Sequence, residues 1–314
     1  MIDSGKEEIM NVNEEIKSKA KAIDEMLETY LPKEEGEAKH IMEAMNYSIH
    51  VGGKRLRPML MLESYKLFGG KGKVVEPFMA AIEMIHTYSL VHDDLPAMDN
   101  DEYRRGQLST HAKFGHAMGV LAGDGLLNYA FETSLKAFDI VATEVAIDGK
   151  AAETERVVKA MKVLAKKAGI YGMVGGQVVD VESENQPIGM DTIKFIHENK
   201  TAAMIESSLM IGAILAGADE KETALMEQVG SDVGLAFQIQ DDILDVTSTV
   251  EVLGKPIGSD EKNGKTTYLT LVGLDKAKDD VRQISQRAID NLKSLPYENA
   301  FLTELVTSLI TRES

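Results

Sequence analysis

Two acidic clusters are the residues of this sequence best suited to chemistry. Asp93-Asp94-Leu95-Pro96-Ala97-Met98-Asp99, continued by Asn100 and Asp101, closes an apolar segment that begins at Pro77. Adjacent carboxylates repel one another unless something cationic neutralises them. Asp93 and Asp99 are too far apart in sequence to share one face of a regular helix. Pro96 removes a helical hydrogen bond and is expected to bend the chain so that Asp99 returns toward Asp93. The second cluster, Asp241-Asp242-Ile243-Leu244-Asp245, follows Phe237-Gln238-Ile239. Asp241 and Asp245 stand at i,i+4, and Asp242 and Asp245 at i,i+3, so they crowd one helical face, and each like-charge pair costs a few tenths of a kcal/mol. Carboxylate oxygens that leave room for water and a ligand suit Mg²⁺. One such cluster reads more readily as a solvated helix end. Two of them, each emerging from an apolar helix, suggest two walls of carboxylate that hold several metal ions.

Basic residues gather in short loops beside these clusters. Gly52-Gly53-Lys54-Arg55-Leu56-Arg57-Pro58 is one; Arg104-Arg105-Gly106 follows the first cluster; Lys255 and Gly264-Lys265-Thr266-Thr267 follow the second. Glycine lets backbone approach an anion, and Arg and Lys donate charge-assisted hydrogen bonds to phosphate. Carboxylates with Mg²⁺ and nearby cations describe a site for a diphosphate. The glycine-containing loops match neither the P-loop nor the dinucleotide-binding fingerprint.

Composition narrows the alternatives. Asp and Glu number 51 against 34 Lys and Arg, a formal charge of −17 over 314 residues. That balance argues against a nucleic-acid partner, which selects for a basic face. The absence of cysteine removes disulfides, thiolate metal sites and cysteine nucleophiles. Without an HExxH pair, a zincin-type site is unsupported. The first residues are acidic and lack the pattern of a secretion signal, and the most apolar run, Met204 to Ala218, is short for a membrane span and carries Glu206. A cytoplasmic chain without stable membrane insertion is expected.

The elements that must position these groups read as helices. Stretches rich in Ala, Leu, Met, Glu and Lys alternate with prolines at their edges. Ile16, Ala20, Ile23, Leu27 and Tyr30 give one apolar helical face. Pro77 to His92 is apolar nearly all round, as in a buried helix. Long helices are expected over 115–138, 153–181, 191–215, 220–246, 275–292 and 299–311, with a mobile surface loop over 142–154. No alternating strand or hairpin dipeptide stands out. The expectation is an all-α fold in a single large domain, 1–314, of ten or more helices. The 17 methionines suit adaptable core packing, and His92 reads as structural.

Taken together, GGKRLRP, HTYSLVHDDLPAMDNDEYRRG, Lys200-Thr201, FQIQDDILD and the Gly-Lys pairs beyond it resemble the trans-isoprenyl diphosphate synthases, or polyprenyl synthetases. The likeness runs from about His40 to the C-terminus, and the short bacterial farnesyl diphosphate synthases are the nearest match. The resemblance implies an all-α fold around a deep central cavity, a homodimer, and head-to-tail prenyl transfer: an allylic diphosphate ionises, isopentenyl diphosphate attacks the cation, and a proton is lost. It implies Mg²⁺, three ions per site, held by Asp93, Asp94, Asp99, Asp241, Asp242 and Asp245. Arg104, Lys200 and Lys255 would contact the allylic diphosphate, with Lys265 nearby. Gly53, Lys54, Arg57, His86 and Arg105 would receive isopentenyl diphosphate. Thr201 and Gln238 would turn oxygens toward the cation. Tyr88, beside the small Ser89, would form the floor that limits the product to fifteen carbons, with a twenty-carbon geranylgeranyl product as the alternative. The class I terpene cyclases share the metal chemistry but carry a different second motif, and a silent partner subunit would be expected to have lost a cluster that this chain keeps.

Overall fold

The computed structural model describes residues 3–247 and 266–311, with side chains described from 12 to 247 and from 266 to 310. The chain forms two compact units, one of residues 1–62 and 72–157 and the other of residues 63–71 and 158–314. Both are built from helices.

The first unit contains α1 (Asp3–Glu28), α2 (Lys39–His50), the start of α3 (Leu56–Leu67), α4 (Glu76–Asp93), α5 (Thr110–Phe114), α6 (His116–Glu144) and the start of α7 (Lys150–Ala168). Pro77 sits at the first positions of α4, where its missing N–H costs nothing. The helix is packed on nearly every side, with Phe78, Ile82, Met84 and Ile85 fully buried. Its principal neighbour is α6. His92 Nε2 lies 3.1 Å from the Val120 carbonyl of α6, which agrees with a structural His92. A short hairpin, β1 (Tyr103–Arg104) and β2 (Gln107–Leu108), follows the first acidic cluster. Its turn residues Arg105 and Gly106 both take positive φ, 52° and 77°, the backbone of a type I′ turn.

The second unit contains the ends of α3 and α7, then α8 (Met173–Glu182), α9 (Met190–Ile196), a π-helical turn (His197–Ala202), α10 (Ala203–Ala216), α11 (Glu220–Thr247), α12 (Tyr268–Val272), α13 (Leu274–Lys293) and α14 (Ala300–Thr311). α11 is the hub and packs against α10 and α13. α10, apolar around its circumference, is buried from Ala203 to Leu215. Within it Glu206 is only 6% exposed, and it accepts a charge-assisted hydrogen bond from Lys167. Among the described residues no helix is long and apolar enough to cross a membrane.

Three expectations need correction. The stretch expected as a helix over 153–181 is two helices, α7 and α8, interrupted at 169–172, where glycines at both ends weaken the helix. The expected loop over 142–154 shrinks to 145–149, because α6 runs on to Glu144 and α7 begins at Lys150. The expected helix over 191–215 is continuous but widens into the π turn at its centre.

Candidate active site

In the first unit, α4 delivers Asp93 as its last residue and Asp94 as its cap. The chain then doubles back. The Asp99 amide donates to the Asp93 carbonyl at 2.9 Å, and the Asp101 amide to the Asp94 carbonyl at 3.2 Å. Asn100 completes the turn in the left-handed region, with φ 55°. The return of Asp99 toward Asp93, expected from Pro96, is thus made by backbone hydrogen bonds. Asp93 is half-buried and Asp99 exposed. Asp94 differs: it is 3% exposed, and its Oδ1 accepts from Arg104 Nε at 3.0 Å and also from Nη2. Burial raises the Asp94 carboxyl above the usual carboxylate range, against the pull of Arg104.

The basic loop between α2 and α3 meets the hairpin in the same unit. A Cβ on Gly53 would stand 2.6 Å from Arg105 Nη1, so the absent side chain lets the Arg105 guanidinium lie against the loop backbone. Arg57 Nε is buried and has no hydrogen-bond partner among the described residues. His86, two helical turns before Asp93 on α4, is held well below its ordinary pKa by burial and then by Arg57, Arg105, Arg55 and Arg104. It is a neutral imidazole among arginines. Lys54 is exposed at the loop's tip.

Tyr88 lies five residues before Asp93, about 7.5 Å down the helix axis. It is 6% exposed, its ring meets His92 edge-on at 5.8 Å, and burial followed by the charge of Asp93 pushes its hydroxyl up to about 12. Ser89 donates back to the His86 carbonyl at 2.9 Å.

In the second unit, the π turn carries Lys200 and Thr201. Such turns insert one residue into an α-helix and recur at functional positions. Gly176 of α8 makes room for it: a Cβ there would stand 2.2 Å from the Lys200 amide nitrogen. Lys200 Nζ pairs with Asp180 of α8 at 2.6 Å, and Thr201 Oγ1 donates to Gln238 Oε1 of α11 at 3.2 Å. Three residues expected to serve the allylic substrate are therefore brought together. Asp180 was not anticipated; its signal is the spacing in Gly-Gly-Gln-Val-Val-Asp, which puts it one turn beyond Gly176.

One helical turn past Gln238, α11 presents Asp241 and Asp242, and a further turn on, Asp245. Asp242 Oδ2 accepts the Tyr268 amide at 2.9 Å and so anchors the start of α12, which Thr267 and Thr270 close with a reciprocal capping box. Asp241 is half-buried and Asp245 buried. Lys255 and Lys265 lie outside the described residues. Among the described residues no three His, Asp or Glu side chains converge to enclose a metal ion. The candidate donors are all aspartates, an oxygen set of the kind suited to Mg²⁺, an ion that keeps waters and takes one or two carboxylates together with substrate oxygens.

His197 opens the π turn with its Nδ1 buried and unpartnered among the described residues. Burial lowers its pKa to about 4, against a small opposing pull from Asp180. The unfolded chain binds that proton near pH 6.5, so stability is lost as pH falls from there toward 4. Between pH 7 and 4.5 the loss is expected to be on the order of 2 kcal/mol. Urea unfolding should show a smaller loss over this range in His197→Gln than in the parent. An identical pH dependence in the two would contradict a buried neutral His197.

Comparison with known proteins agrees with this arrangement. The sequence model of the family described as "Polyprenyl synthetase" matches residues 38–300. The farnesyl diphosphate synthase of Geobacillus stearothermophilus is 40% identical over 302 residues, 95% of this chain and 98% of that protein. A chloroplastic geranylgeranyl pyrophosphate synthase of Catharanthus roseus is 43% identical over 261 residues, 83% of this chain and 70% of that protein. Among solved structures, a geranyltransferase from Helicobacter pylori complexed with magnesium and isoprenyl diphosphate superposes with a TM-score of 0.77 at 30% identity, covering 94% of this chain and 95% of that one. With two aspartate clusters, basic loops in sequence beside both, an all-α fold and a family match across most of its length, the chain belongs to the polyprenyl synthetase family and is a prenyltransferase.

Proposed function

We propose that the protein condenses isopentenyl diphosphate with dimethylallyl and then geranyl diphosphate, head to tail, and releases farnesyl diphosphate. Asp93, Asp94, Asp99, Asp241, Asp242 and Asp245 are the proposed Mg²⁺ donors, with three ions per site. Bound Mg²⁺ supplies the positive charge that lets the diphosphate depart. Arg104, Lys200, Lys255 and Lys265 are proposed to add positive charge for the same leaving group. As the allylic C–O bond breaks, Thr201 and Gln238, already hydrogen-bonded to one another, orient oxygens toward the carbon that becomes positive. Gly53, Lys54, Arg57, His86 and Arg105 hold isopentenyl diphosphate while its double bond attacks that carbon. A C–C bond forms, and the proton lost from the adjacent carbon goes to the departed diphosphate. Neutral His86 suits a hydrogen-bonding role and adds no further charge to the arginines. The reading extends to a cytoplasmic protein and to a homodimer; the exposed apolar Val120, Leu121 and Leu135 of α6 support the second.

Product length is carried by Tyr88. A tail anchored at Asp93 and running back along α4 meets this ring at about 7.5 Å of helix rise, and Ser89 leaves the ring as the bulk at that level. With isopentenyl and dimethylallyl diphosphate as substrates, the expected main product is farnesyl diphosphate, formed only with Mg²⁺. Tyr88→Ala is expected to shift the main product to twenty carbons or more, read by chromatography of the dephosphorylated prenols. An unchanged distribution would take Tyr88 out of this role, and a parent that already makes the twenty-carbon chain would favour the geranylgeranyl reading.

A further inference from the structure

Arg55 stands in the middle of the basic loop yet turns away from solvent. It is 4% exposed and takes a left-handed backbone with φ 49°, which a non-glycine residue adopts only where its surroundings hold it there. Three bonds hold it. Nε donates to Asp24 Oδ1 of α1, Nη1 to Glu83 Oε1 of α4, and Nη2 to the Ile49 carbonyl at the end of α2, each at 2.7 Å. The side chain thus ties the loop to three helices at once.

Glu83 is the other half of this arrangement. It is 2% exposed and lies one turn before His86 on the same helix. Beyond its bond to Arg55, its charge acts on Arg57 and Arg105, favouring their protonated forms while burial and mutual repulsion work against them. Arg55 thus pairs with one buried carboxylate, Glu83, and a half-exposed one, Asp24, and the charge of Glu83 is also felt by Arg57 and Arg105. Cations left in excess of their counter-ions are prepared for an incoming anion, and an arginine held by three hydrogen bonds keeps its geometry before that anion arrives.

We infer that Glu83 and Arg55 are positioning residues: they fix the left-handed bend of the loop and so set where Lys54 and Arg57 present their charges to a diphosphate. The inference rests on the proposed reading that this loop holds isopentenyl diphosphate. Neither residue needs to touch the substrate. A merely structural ion pair would lower stability and turnover without selecting between substrates, whereas a positioning pair acts on one Michaelis constant.

The test is steady-state kinetics of the full chain with each substrate varied, on Glu83→Gln, Arg55→Lys and Asp24→Asn, beside Arg57→Ala. Glu83→Gln keeps the shape and removes the charge. It is expected to raise KM for isopentenyl diphosphate about 30-fold, with kcat and the allylic KM within threefold of the parent. Arg55→Lys, which can still reach Glu83 but cannot make all three bonds, is expected to fall between. Asp24 is half-exposed, so Asp24→Asn is expected to fold even where Glu83→Gln does not; a three- to tenfold rise in the same constant is expected. If Glu83→Gln lowers that constant or leaves it unchanged while Arg57→Ala raises it, the inference is overturned and the reading of the loop stands. If Arg57→Ala instead raises the allylic constant, the reading of the loop falls. The inference is then decided by whether Glu83→Gln raises that same constant, and it fails if it does not.

Discussion

Asp93→Ala and Asp241→Ala are each expected to lower turnover by roughly three to four powers of ten, at about 1.4 kcal/mol for each tenfold, and to leave the helical circular dichroism spectrum unchanged. Asp93 is the last residue of α4 and Asp241 lies on a half-buried position of α11, so truncating either leaves the packed faces of its helix intact. What is lost is the stabilisation of charge on the departing diphosphate, which is made only as the C–O bond breaks, so kcat and kcat/KM should fall together. Raising Mg²⁺ should recover little of it. Near-parental turnover of either variant at ordinary Mg²⁺ would sink its assignment as a metal ligand.

The second large effect separates the two substrates. Arg57→Ala is expected to raise KM for isopentenyl diphosphate about 100-fold, and Lys200→Ala to raise KM for the allylic diphosphate by a similar factor. That is about 2.7 kcal/mol in each case, the scale of a charge-assisted hydrogen bond to an anion. Lys200 is held by Asp180 at 2.6 Å, which keeps its ammonium at one place on the π turn. A rise in the same constant for both variants would show that the division between the basic loops is wrong.

Much of this arrangement was legible before any coordinates. Pro77 and the all-round apolar composition after it mark a buried helix ending at an acidic cluster, and α4 is that helix. Pro96 predicts the doubling back that the Asp99 and Asp101 amides carry out. The chemistry proposed for the clusters comes from unlike features that recur together in the sequence: carboxylates that repel alone, glycines, and cations in short loops. What escaped notice has physical reasons. The hairpin at 103–108 has two residues per strand, too few for alternation to show. The π turn leaves no mark in the hydrophobic pattern, since α10 beyond it is apolar all round and shows no face whose phase could slip. The break between α7 and α8 follows helix-forming Ala and Lys, and only its glycines announce it. The opposed roles of neighbouring residues were also hidden. Sequence cannot say that Arg55 points into the core while Lys54 is exposed, or that one oxygen of Asp94 accepts from Arg104 and one of Asp242 from the Tyr268 amide.

The π turn at 197–202 has a consequence for how this chain tolerates length change. A π turn accommodates one residue more than the α-helix on either side requires. Deleting a single residue there would let the segment relax to ordinary α geometry, and Ala203–Ala216 would keep the rotational phase that buries them. Elsewhere in the long helix a deletion would swing every later side chain by about 100° and carry Glu206 away from Lys167. The helix thus carries a built-in slack of one residue at the position of Lys200 and Thr201. A shortened chain would still fold, melt cooperatively and look native by its far-ultraviolet spectrum, yet it would carry its lysine and threonine on the wrong side of the helix.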